Sequence, residues 1–141
     1  MIKAGIIGST GYAGQELVRI LTQHKDAEVV WYGSRSYIDQ KYYEVFRNMF
    51  QIVDDKCLDD NMDELASKVD VIFTATPQGL CSSLVSEEIL SKVKIIDLSA
   101  DFRIKDVNRY EEWYGIRVQN LLMRQFMDFA RSIVKISRKH D

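Results

Sequence analysis

Apolar and polar residues alternate along the chain in blocks that predict strands and helices in turn. Ile2–Ile7 is a short, mostly apolar run with β-branched residues, which is typical of a buried parallel strand. From Tyr12 to about His24 the apolar positions recur at helical spacing, and Glu28–Tyr32 is a second apolar run closed by Gly33. A strand, a glycine-rich turn, a helix and a strand in this order predict a right-handed βαβ unit.

The middle of the chain has a weaker pattern, and clear periodicity returns after it. The further expected elements, in chain order, are a short helix around Tyr42–Arg47, a strand near Gln51–Val53, a helix over Met62–Lys68, a strand over Val71–Ala75, a helix over Gly79–Leu90 and a strand over Lys94–Leu98. Strands that alternate with helices in this way form parallel sheets. The pattern therefore predicts an α/β fold of Rossmann type, an open and mostly parallel sheet with helices on both faces.

Three glycines lie where the first strand turns into the first helix. At such a place Gly8 allows a tight turn, Gly11 lets the backbone approach a pyrophosphate, and Gly14 lets the helix pack on the strand. The start of the helix adds free N–H groups and partial positive charge. We therefore favour a dinucleotide site over a purely structural turn, although glycines gather in any tight turn. The residues expected to contact the cofactor here are Gly8, Ser9, Thr10, Gly11, Tyr12, Ala13 and Gly14.

The end of the second strand bears on the choice between NAD and NADP. NAD sites usually place an acidic residue there, about twenty residues past the glycines, to hold the ribose 2′-OH. This chain has Ser34, Arg35 and Ser36 instead. An arginine flanked by hydroxyls suits a 2′-phosphate, because guanidinium and phosphate pair through two hydrogen bonds. NADP(H) is therefore the expected cofactor, and the alternative is that Arg35 is an ordinary solvated loop residue.

Two more loops follow the carboxyl ends of strands, where open α/β sheets bind their ligands. They are Ala75–Gly79 and Asp97–Arg103. These loops can be read in two ways, and both interpretations stay open. In one, their residues contact the cofactor. In the other, the proline and glycine merely shape the first loop, while Asp101 and Arg103 form a structural ion pair. The residues expected to contact the cofactor from these loops are Thr76, Pro77, Gly79 and Ser99.

Composition narrows the class of protein. Of the 141 residues 46% are apolar and 28% charged, with a formal net charge of −2, which is typical of a soluble globular domain. That balance argues against a nucleic-acid partner, and no apolar run approaches the ~18 residues of a membrane span. Two cysteines cannot build a disulfide framework, and no metal-ligand cluster is present in the sequence. With no room for a cleavable signal, we expect a cytoplasmic protein.

Four segments together resemble N-acetyl-gamma-glutamyl-phosphate reductase. They are Gly8–Gly14, Ser34–Ser36, Asp97–Arg103 and Tyr110–Gly115, and the resemblance covers residues 1–116. It implies an NADPH-dependent enzyme of arginine biosynthesis that reduces N-acetyl-L-glutamyl 5-phosphate, a small-molecule acyl phosphate, to N-acetyl-L-glutamate 5-semialdehyde. The same resemblance implies a homo-oligomeric full-length enzyme. One residue departs from the family's sequence pattern, because this chain has Gln78 where the family commonly has histidine.

The resemblance also implies that the catalytic residues are missing. The family's nucleophilic cysteine and its assisting histidine lie beyond the matching region, so the NADP-binding domain of residues 1–116 is expected to be incomplete and to bind NADP(H) without catalysis. Cys57 and Cys81 are interpreted as packing residues, and His24 as a helix-end residue instead of a base. No catalytic residue is therefore assigned in this chain.

Residues 117–141 differ in net charge from the rest of the chain. Residues 1–116 hold 13 basic and 19 acidic residues, whereas residues 117–141 hold 6 and 2. One hypothesis is that this basic, amphipathic tail binds a partner groove or a membrane surface, which would make the chain a stand-alone nucleotide-binding module. The favoured hypothesis is a frameshift in the gene. When part of the tail is translated back into codons and read in a shifted frame, it resembles the family segment that precedes the nucleophilic cysteine.

Overall fold

Five parallel strands form one sheet in the computed structural model, which describes residues 1–104 and 106–116. The strands are β1 (Ile2–Ile7), β2 (Ala27–Gly33), β3 (Cys57–Leu58), β4 (Val71–Thr74) and β5 (Lys94–Asp97). Their order across the sheet is β3-β2-β1-β4-β5, and every pairing is parallel. This is the strand order of a doubly wound α/β fold, as the sequence predicts.

The described residues also form six helices and one 3₁₀ turn, all of which lie between strands except the last helix, which follows β5. They are α1 (Tyr12–Leu21), α2 (Tyr42–Val45), the 3₁₀ turn Arg47–Met49, α3 (Met62–Lys68), α4 (Leu80–Leu84), α5 (Glu87–Lys92) and α6 (Val107–Tyr114). Side chains of Asn61, Ser86 and Asp106 accept N–H bonds at the starts of α3, α5 and α6. Among the described residues, no helix is long and apolar enough to cross a membrane.

The core lies on both faces of the sheet because successive strand residues point to opposite sides. On one face Ile6 packs in a cluster with Val18 of α1 and Tyr42 of α2. On the other face the next residue, Ile7, packs in a cluster with Leu65 of α3 and with residues of α4 and α5. The two-sided burial confirms that helices cover both faces.

Two expected elements in the middle and second half of the chain are wrong. The strand near Gln51–Val53 does not form, because Gln51 has a φ of 64° and belongs to a turn, and the third strand is instead the two-residue β3. The long helix expected over Gly79–Leu90 is broken between α4 and α5, where Val85 is extended and Ser86 caps a new start.

The remaining elements differ from expectation mainly at their ends. The first helix stops at Leu21, where the hydroxyl of Thr22 donates to the carbonyl of Val18 at 2.8 Å. The helix expected around Tyr42–Arg47 ends at Val45 and is followed by the 3₁₀ turn. Helix α6 was not expected from the pattern, yet it brings Tyr110 into contact with the loop after β5.

Candidate functional site

The loops that follow the strands gather at one edge of the sheet. Because all five strands are parallel, their carboxyl ends lie together. Strands β1 and β4 are neighbours although they are not consecutive in the chain, so the direction of winding reverses between them. In open α/β sheets the crevice at such a reversal is where ligands bind. The predicted site residues all lie in loops at this edge or in the first turn of α1.

The three glycines of the first loop have different steric surroundings. Gly8 has a φ of 79°, and a Cβ built on it would lie 2.4 Å from the carbonyl oxygen of Ala75. A Cβ on Gly14 would lie 2.0 Å from the carbonyl oxygen of Gly8, so only glycine lets α1 start this close to the loop. A Cβ on Gly11 would be in ordinary van der Waals contact, 3.4 Å from the carbonyl oxygen of Gly8. Gly8 and Gly14 are therefore required by the fold, whereas Gly11, which is exposed, is not.

Helix α1 begins beside this loop with its first N–H groups uncapped by any side chain. Gly11 is the residue before the helix, and the structure shows no side-chain hydrogen bond there. The first turn of a helix has N–H groups without intrahelical acceptors and carries partial positive charge. This end of α1 follows the glycine loop, which contacts Ala75 directly after β4, so it is suited to an anion such as a pyrophosphate.

Several predicted contact residues hold the glycine loop in place. The Ser9 hydroxyl is buried and donates to the carbonyl of Gly33 at 3.0 Å, while the Ser9 carbonyl accepts from the Tyr42 hydroxyl at 2.8 Å. Thr10 and Ser34 share a hydroxyl–hydroxyl bond of 2.7 Å. These bonds tie the loop after β1 to the loop after β2. Tyr12, by contrast, is 98% exposed.

Arg35 extends from the end of β2 toward the end of β3, where its Nε donates to the carboxylate of Asp60. The Asp60 side chain is only 9% exposed, whereas that of Arg35 is 60% exposed. A guanidinium has five N–H donors, and this pair uses the one on Nε. No partner of the terminal nitrogens of Arg35 is seen among the described residues, so their donors are available next to two residues with hydroxyl groups, Ser34 and Ser36, in the sequence. The sequence pattern does not single out Asp60, which lies two residues beyond β3.

The loop after β5 is held by its own carboxylates. Ser99 donates to Asp97 at 2.6 Å and accepts from the N–H of Asp101 at 3.1 Å. Asp101 is fully buried and accepts from the N–H groups of Gly79 and Ser82 and from the Tyr110 hydroxyl. These contacts join the loop after β5 to the loop after β4.

The alternative of a structural ion pair between Asp101 and Arg103 is wrong. Arg103 donates from Nε to the carbonyl of Ser99 at 2.8 Å and from a terminal nitrogen to the carbonyl of Leu98. The carboxylate of Asp101 instead binds N–H and O–H donors of other elements. Each side chain is thus satisfied separately, and the arginine braces its own loop.

Thr76 carries the one buried side-chain oxygen without a hydrogen-bond partner among the described residues. Its loop contacts the glycine loop, since the carbonyl of the preceding Ala75 lies against Gly8. A buried hydroxyl without a partner costs free energy, about 1–3 kcal/mol, unless a ligand or water binds it. The Thr76 hydroxyl therefore fits a polar ligand at this edge. Pro77, next in the loop, is exposed.

Neither cysteine has the environment of a nucleophile. Cys81 is fully buried beneath Thr74, whose hydroxyl lies 3.2 Å from its sulfur, and burial raises the pKa of the Cys81 thiol to about 12. Burial also raises the pKa of the Cys57 thiol. Both interpretations as packing residues are confirmed. His24 follows α1 at the opposite edge of the sheet, where its Nδ1 accepts from the N–H of Asp26.

No group of three or more potential metal ligands lies together in the part of the chain that the structure describes. The groups at this edge are hydrogen-bond donors, an arginine and a helix N-terminus, which are suited to a phosphorylated ligand. Both thiols are buried, and His24 lies after α1 at the opposite edge of the sheet.

Comparison with known proteins relates residues 3–134 to the family model described as semialdehyde dehydrogenase, NAD binding domain. A curated protein from Lachnoclostridium phytofermentans, named N-acetyl-gamma-glutamyl-phosphate reductase, is 76% identical over 117 residues, which are 83% of this chain and 34% of that protein. A protein of the same name from Alkaliphilus metalliredigens is 46% identical over 121 residues, 86% of this chain and 35% of its own length. The chain thus spans about a third of the length of these relatives.

A solved structure has a similar fold. The crystal structure of aspartate semialdehyde dehydrogenase with NADP from Candida albicans aligns with a TM-score of 0.58 at 18% sequence identity. The alignment covers 76% of this chain and 32% of that one. At this identity the likeness is one of fold, and it confirms the Rossmann-type α/β architecture predicted from the sequence.

Proposed function

Since this chain belongs to the semialdehyde dehydrogenase family through its NAD-binding domain, we propose that it is the NADP(H)-binding part of a reductase for N-acetyl-L-glutamyl 5-phosphate. The product of that reaction is N-acetyl-L-glutamate 5-semialdehyde, an intermediate of arginine biosynthesis. The resemblance to N-acetyl-gamma-glutamyl-phosphate reductase is confirmed by curated relatives of that name at 76% and 46% identity. Because the chain spans a third of their length, the activity of the whole enzyme belongs to this proposal.

The residues at the carboxyl edge fit a dinucleotide. The observation that carries the proposal is the glycine loop, in which Gly8 and Gly14 allow α1 to start close to the end of β1, and the exposed Gly11 directly precedes the helix. In this proposal residues 8–14 hold the pyrophosphate with backbone N–H groups. The hydroxyl of Thr76, which has no partner among the described residues, supplies a further polar contact.

The 2′-phosphate of NADP(H) is assigned to residues 34–36. Arg35 offers its terminal nitrogens there, and Asp60 holds the Nε side of the guanidinium. The other half of the dinucleotide is assigned to Thr76, Pro77, Gly79 and Ser99, which lie in the loops after β4 and β5. When bound, the nicotinamide supplies a hydride.

The residues of this chain bind and orient, and they leave acyl transfer to other segments. In the family that the sequence resembles, the acyl group is transferred to a cysteine thiolate. Burial raises the pKa values of both thiols of this chain, so Cys57 and Cys81 stay protonated at neutral pH. We therefore propose that the chain binds NADP(H) without catalysis, and that the nucleophile and base come from the part of the family that its residues 1–116 do not match.

Titration with NADPH and NADH tests the proposal. Replacing Arg35→Ala removes the donors for the 2′-phosphate and leaves the Asp60 carboxylate unpaired beside it. We expect binding of NADPH to weaken by about 1.5–3 kcal/mol, the range for a hydrogen bond to a charged group, and binding of NADH to change little. Arg19→Ala is the control, because Arg19 is also exposed and paired, with Glu16, but lies on α1 away from the loops. Equal losses for NADPH and NADH would contradict the assignment.

The proposal includes the setting of the whole enzyme. We propose a cytoplasmic homo-oligomer that acts on a small-molecule acyl phosphate, with no nucleic-acid or membrane partner. The domain is assigned to residues 1–116. Both hypotheses for residues 117–141, an out-of-frame segment and a partner- or membrane-binding tail, concern residues outside those that the structure describes, so both stay predictions.

A further inference from the structure

We propose that Asp101 is a positioning residue for the cofactor, which holds the loop Ala75–Gly79 against the glycine loop. The proposal rests on the proposed function, because it concerns the half of the dinucleotide that lies beyond the pyrophosphate. It replaces the expectation that Asp101 serves only a local ion pair. Asp101 acts through other residues, since it is fully buried and its carboxylate is bound by donors of the protein itself.

Three donors from two other elements converge on the Asp101 carboxylate. The N–H of Gly79 donates to Oδ1 at 2.7 Å, and the N–H of Ser82 donates to Oδ2 at 3.0 Å. The Tyr110 hydroxyl of α6 donates to Oδ1 at 2.7 Å. Gly79 and Ser82 are the residue before α4 and its third residue, so the carboxylate caps that helix from outside.

The cap fixes the conformation of the loop. Gly79 has a φ of 85°, in the left-handed region, and its N–H bond to Asp101 holds the end of the loop at this angle. A second contact supports the first, because the Gln78 side-chain oxygen accepts from the N–H of Ala100 at 2.6 Å. The loop after β4 is thus tied at two successive residues to the loop after β5.

The other end of the same loop touches the glycine loop. The carbonyl oxygen of Ala75 would lie 2.4 Å from a Cβ on Gly8, so the two backbones are in direct contact. Thr76, one of the two residues between these contacts, carries the hydroxyl that has no partner among the described residues. A displacement of Gly79 would therefore move Thr76 relative to the glycine loop.

A carboxylate is the group that this position requires. Its oxygens only accept hydrogen bonds, and here they meet three donors. An asparagine has nearly the same shape but would turn its NH₂ group toward an N–H or O–H donor. Among the described residues no cation pairs with Asp101, so the negative charge is balanced by these donors and by the start of α4.

The strand order assigns the loop to one half of the cofactor. Arg35, proposed for the adenosine 2′-phosphate, follows β2, and β2 lies on one side of β1. The loop Ala75–Gly79 follows β4, which lies on the other side of β1. A dinucleotide whose pyrophosphate lies over β1 therefore places its adenosine half toward β2 and its nicotinamide half toward β4.

The test compares two ligands on the full chain, NADPH and adenosine 2′,5′-bisphosphate, which lacks the nicotinamide half. For Asp101→Asn we expect the Kd of NADPH to rise about tenfold or more, since bonds to a charged group are lost. We expect the Kd of adenosine 2′,5′-bisphosphate to stay within about twofold, because Arg35 and the glycine loop remain in place. A purely structural role would weaken both ligands together.

A second pair of variants keeps the test valid if Asp101→Asn fails to fold. Tyr110→Phe removes one donor and keeps the ring, and we expect a rise of about threefold to tenfold in the Kd of NADPH alone. Tyr114→Phe is the matched control, because its ring packs on that of Tyr110 at 5.0 Å while no hydrogen bond of its hydroxyl to the carboxylate is seen.

Unchanged affinity for NADPH in a folded Asp101 or Tyr110 variant would overturn the inference, and so would equal loss of both ligands. In either case the wild-type chain still binds NADPH, so the proposed function stands. A wild-type chain that binds neither ligand would instead overturn the proposed function, and the inference with it.

Discussion

Burial determines what the two cysteine side chains can do. Cys81 lies beneath the loop after β4 and Cys57 lies in β3, and neither side chain is exposed to solvent. Removal from water disfavours the thiolate, so burial raises the pKa of Cys81 from its ordinary value of 9.0 to about 12. The same cause raises the pKa of Cys57. At neutral pH both side chains are therefore protonated and pack as small apolar groups.

Thiol titration tests this protonation state. The pKa of Cys81 in the folded protein lies above that in the unfolded chain, so its contribution to the free energy of unfolding is complete below about pH 9 and is lost as the pH rises toward 12. We expect a thiol-reactive disulfide reagent at pH 8 to leave the folded protein unmodified and to modify both thiols in denaturant. The denaturant concentration at the midpoint of unfolding should also decrease as the pH is raised above 9. Rapid modification of one thiol in the folded protein would contradict the prediction.

At the scale of elements, the turn between β1 and α1 separates two kinds of glycine. Gly14 is surrounded by backbone, and a Cβ there would lie 2.0 Å from the Gly8 carbonyl oxygen and 2.8 Å from the Ser9 Cα. Gly11 has φ −78° and ψ 169°, angles that any residue adopts, and a Cβ built on it would lie 3.4 Å from its nearest neighbour, the Gly8 carbonyl oxygen. The fold thus requires glycine at position 14 but accepts a side chain at position 11, where we expect a ligand to approach the backbone instead.

Alanine substitutions should distinguish the two glycines. Gly11→Ala is expected to cost about 1 kcal/mol of stability or less, the scale of a helix N-cap change, and yet to weaken NADPH binding strongly. Gly14→Ala is expected to lower the Tm by several degrees, because backbone atoms must move. Thermal melts with and without NADPH give both quantities. Normal binding by Gly11→Ala would show that the ligand does not approach the loop there.

The local sequence pattern is enough to predict the strand and the helix on either side of the glycine loop. The strand, the turn and the start of α1 depend on neighbouring residues, and Gly8 and Gly14 have the close contacts that their spacing predicts. The break between α4 and α5 was missed because the apolar spacing continues across it. Its cause is one extended residue, Val85, followed by a capping serine.

Contacts between distant segments could not be predicted from the pattern. Asp60 reaches Arg35 across 25 positions of sequence, and Asp101 reaches Gly79 across 22. Both contacts exist because parallel strands bring their carboxyl ends to one edge, and only the strand order reveals which loops meet. The cofactor contacts of the predicted site residues stay predictions until a ligand is bound.

At the scale of the whole molecule, the two tryptophans report on opposite environments. Trp31 of β2 is 3% exposed, its Nε1 donates to the Asp59 carbonyl, and Lys68 of α3 lies over its ring. Trp113 of α6 is 76% exposed. One tryptophan therefore measures whether the sheet has packed against α3, and the other measures the outer surface.

Fluorescence quenching tests this arrangement. Acrylamide should quench Trp113 readily and Trp31 weakly in the folded chain, because only the first is in contact with solvent. The Trp113→Phe variant should keep a blue-shifted emission that acrylamide barely changes, and Trp31→Phe should leave the red-shifted part. Two equally accessible tryptophans would mean that β2 and α3 are not packed as described.

The central place of β1 also has a consequence for synthesis on the ribosome. β1 is made first, yet its two neighbours are β2 and β4, and β4 ends at Thr74. At typical translation rates the ~40 residues between the ends of β2 and β4 take roughly 2–8 s to emerge. During that interval one edge of β1, beside the apolar Ile6 and Ile7, has no partner strand. The nascent chain is therefore expected to occupy chaperones until its fourth strand leaves the exit tunnel.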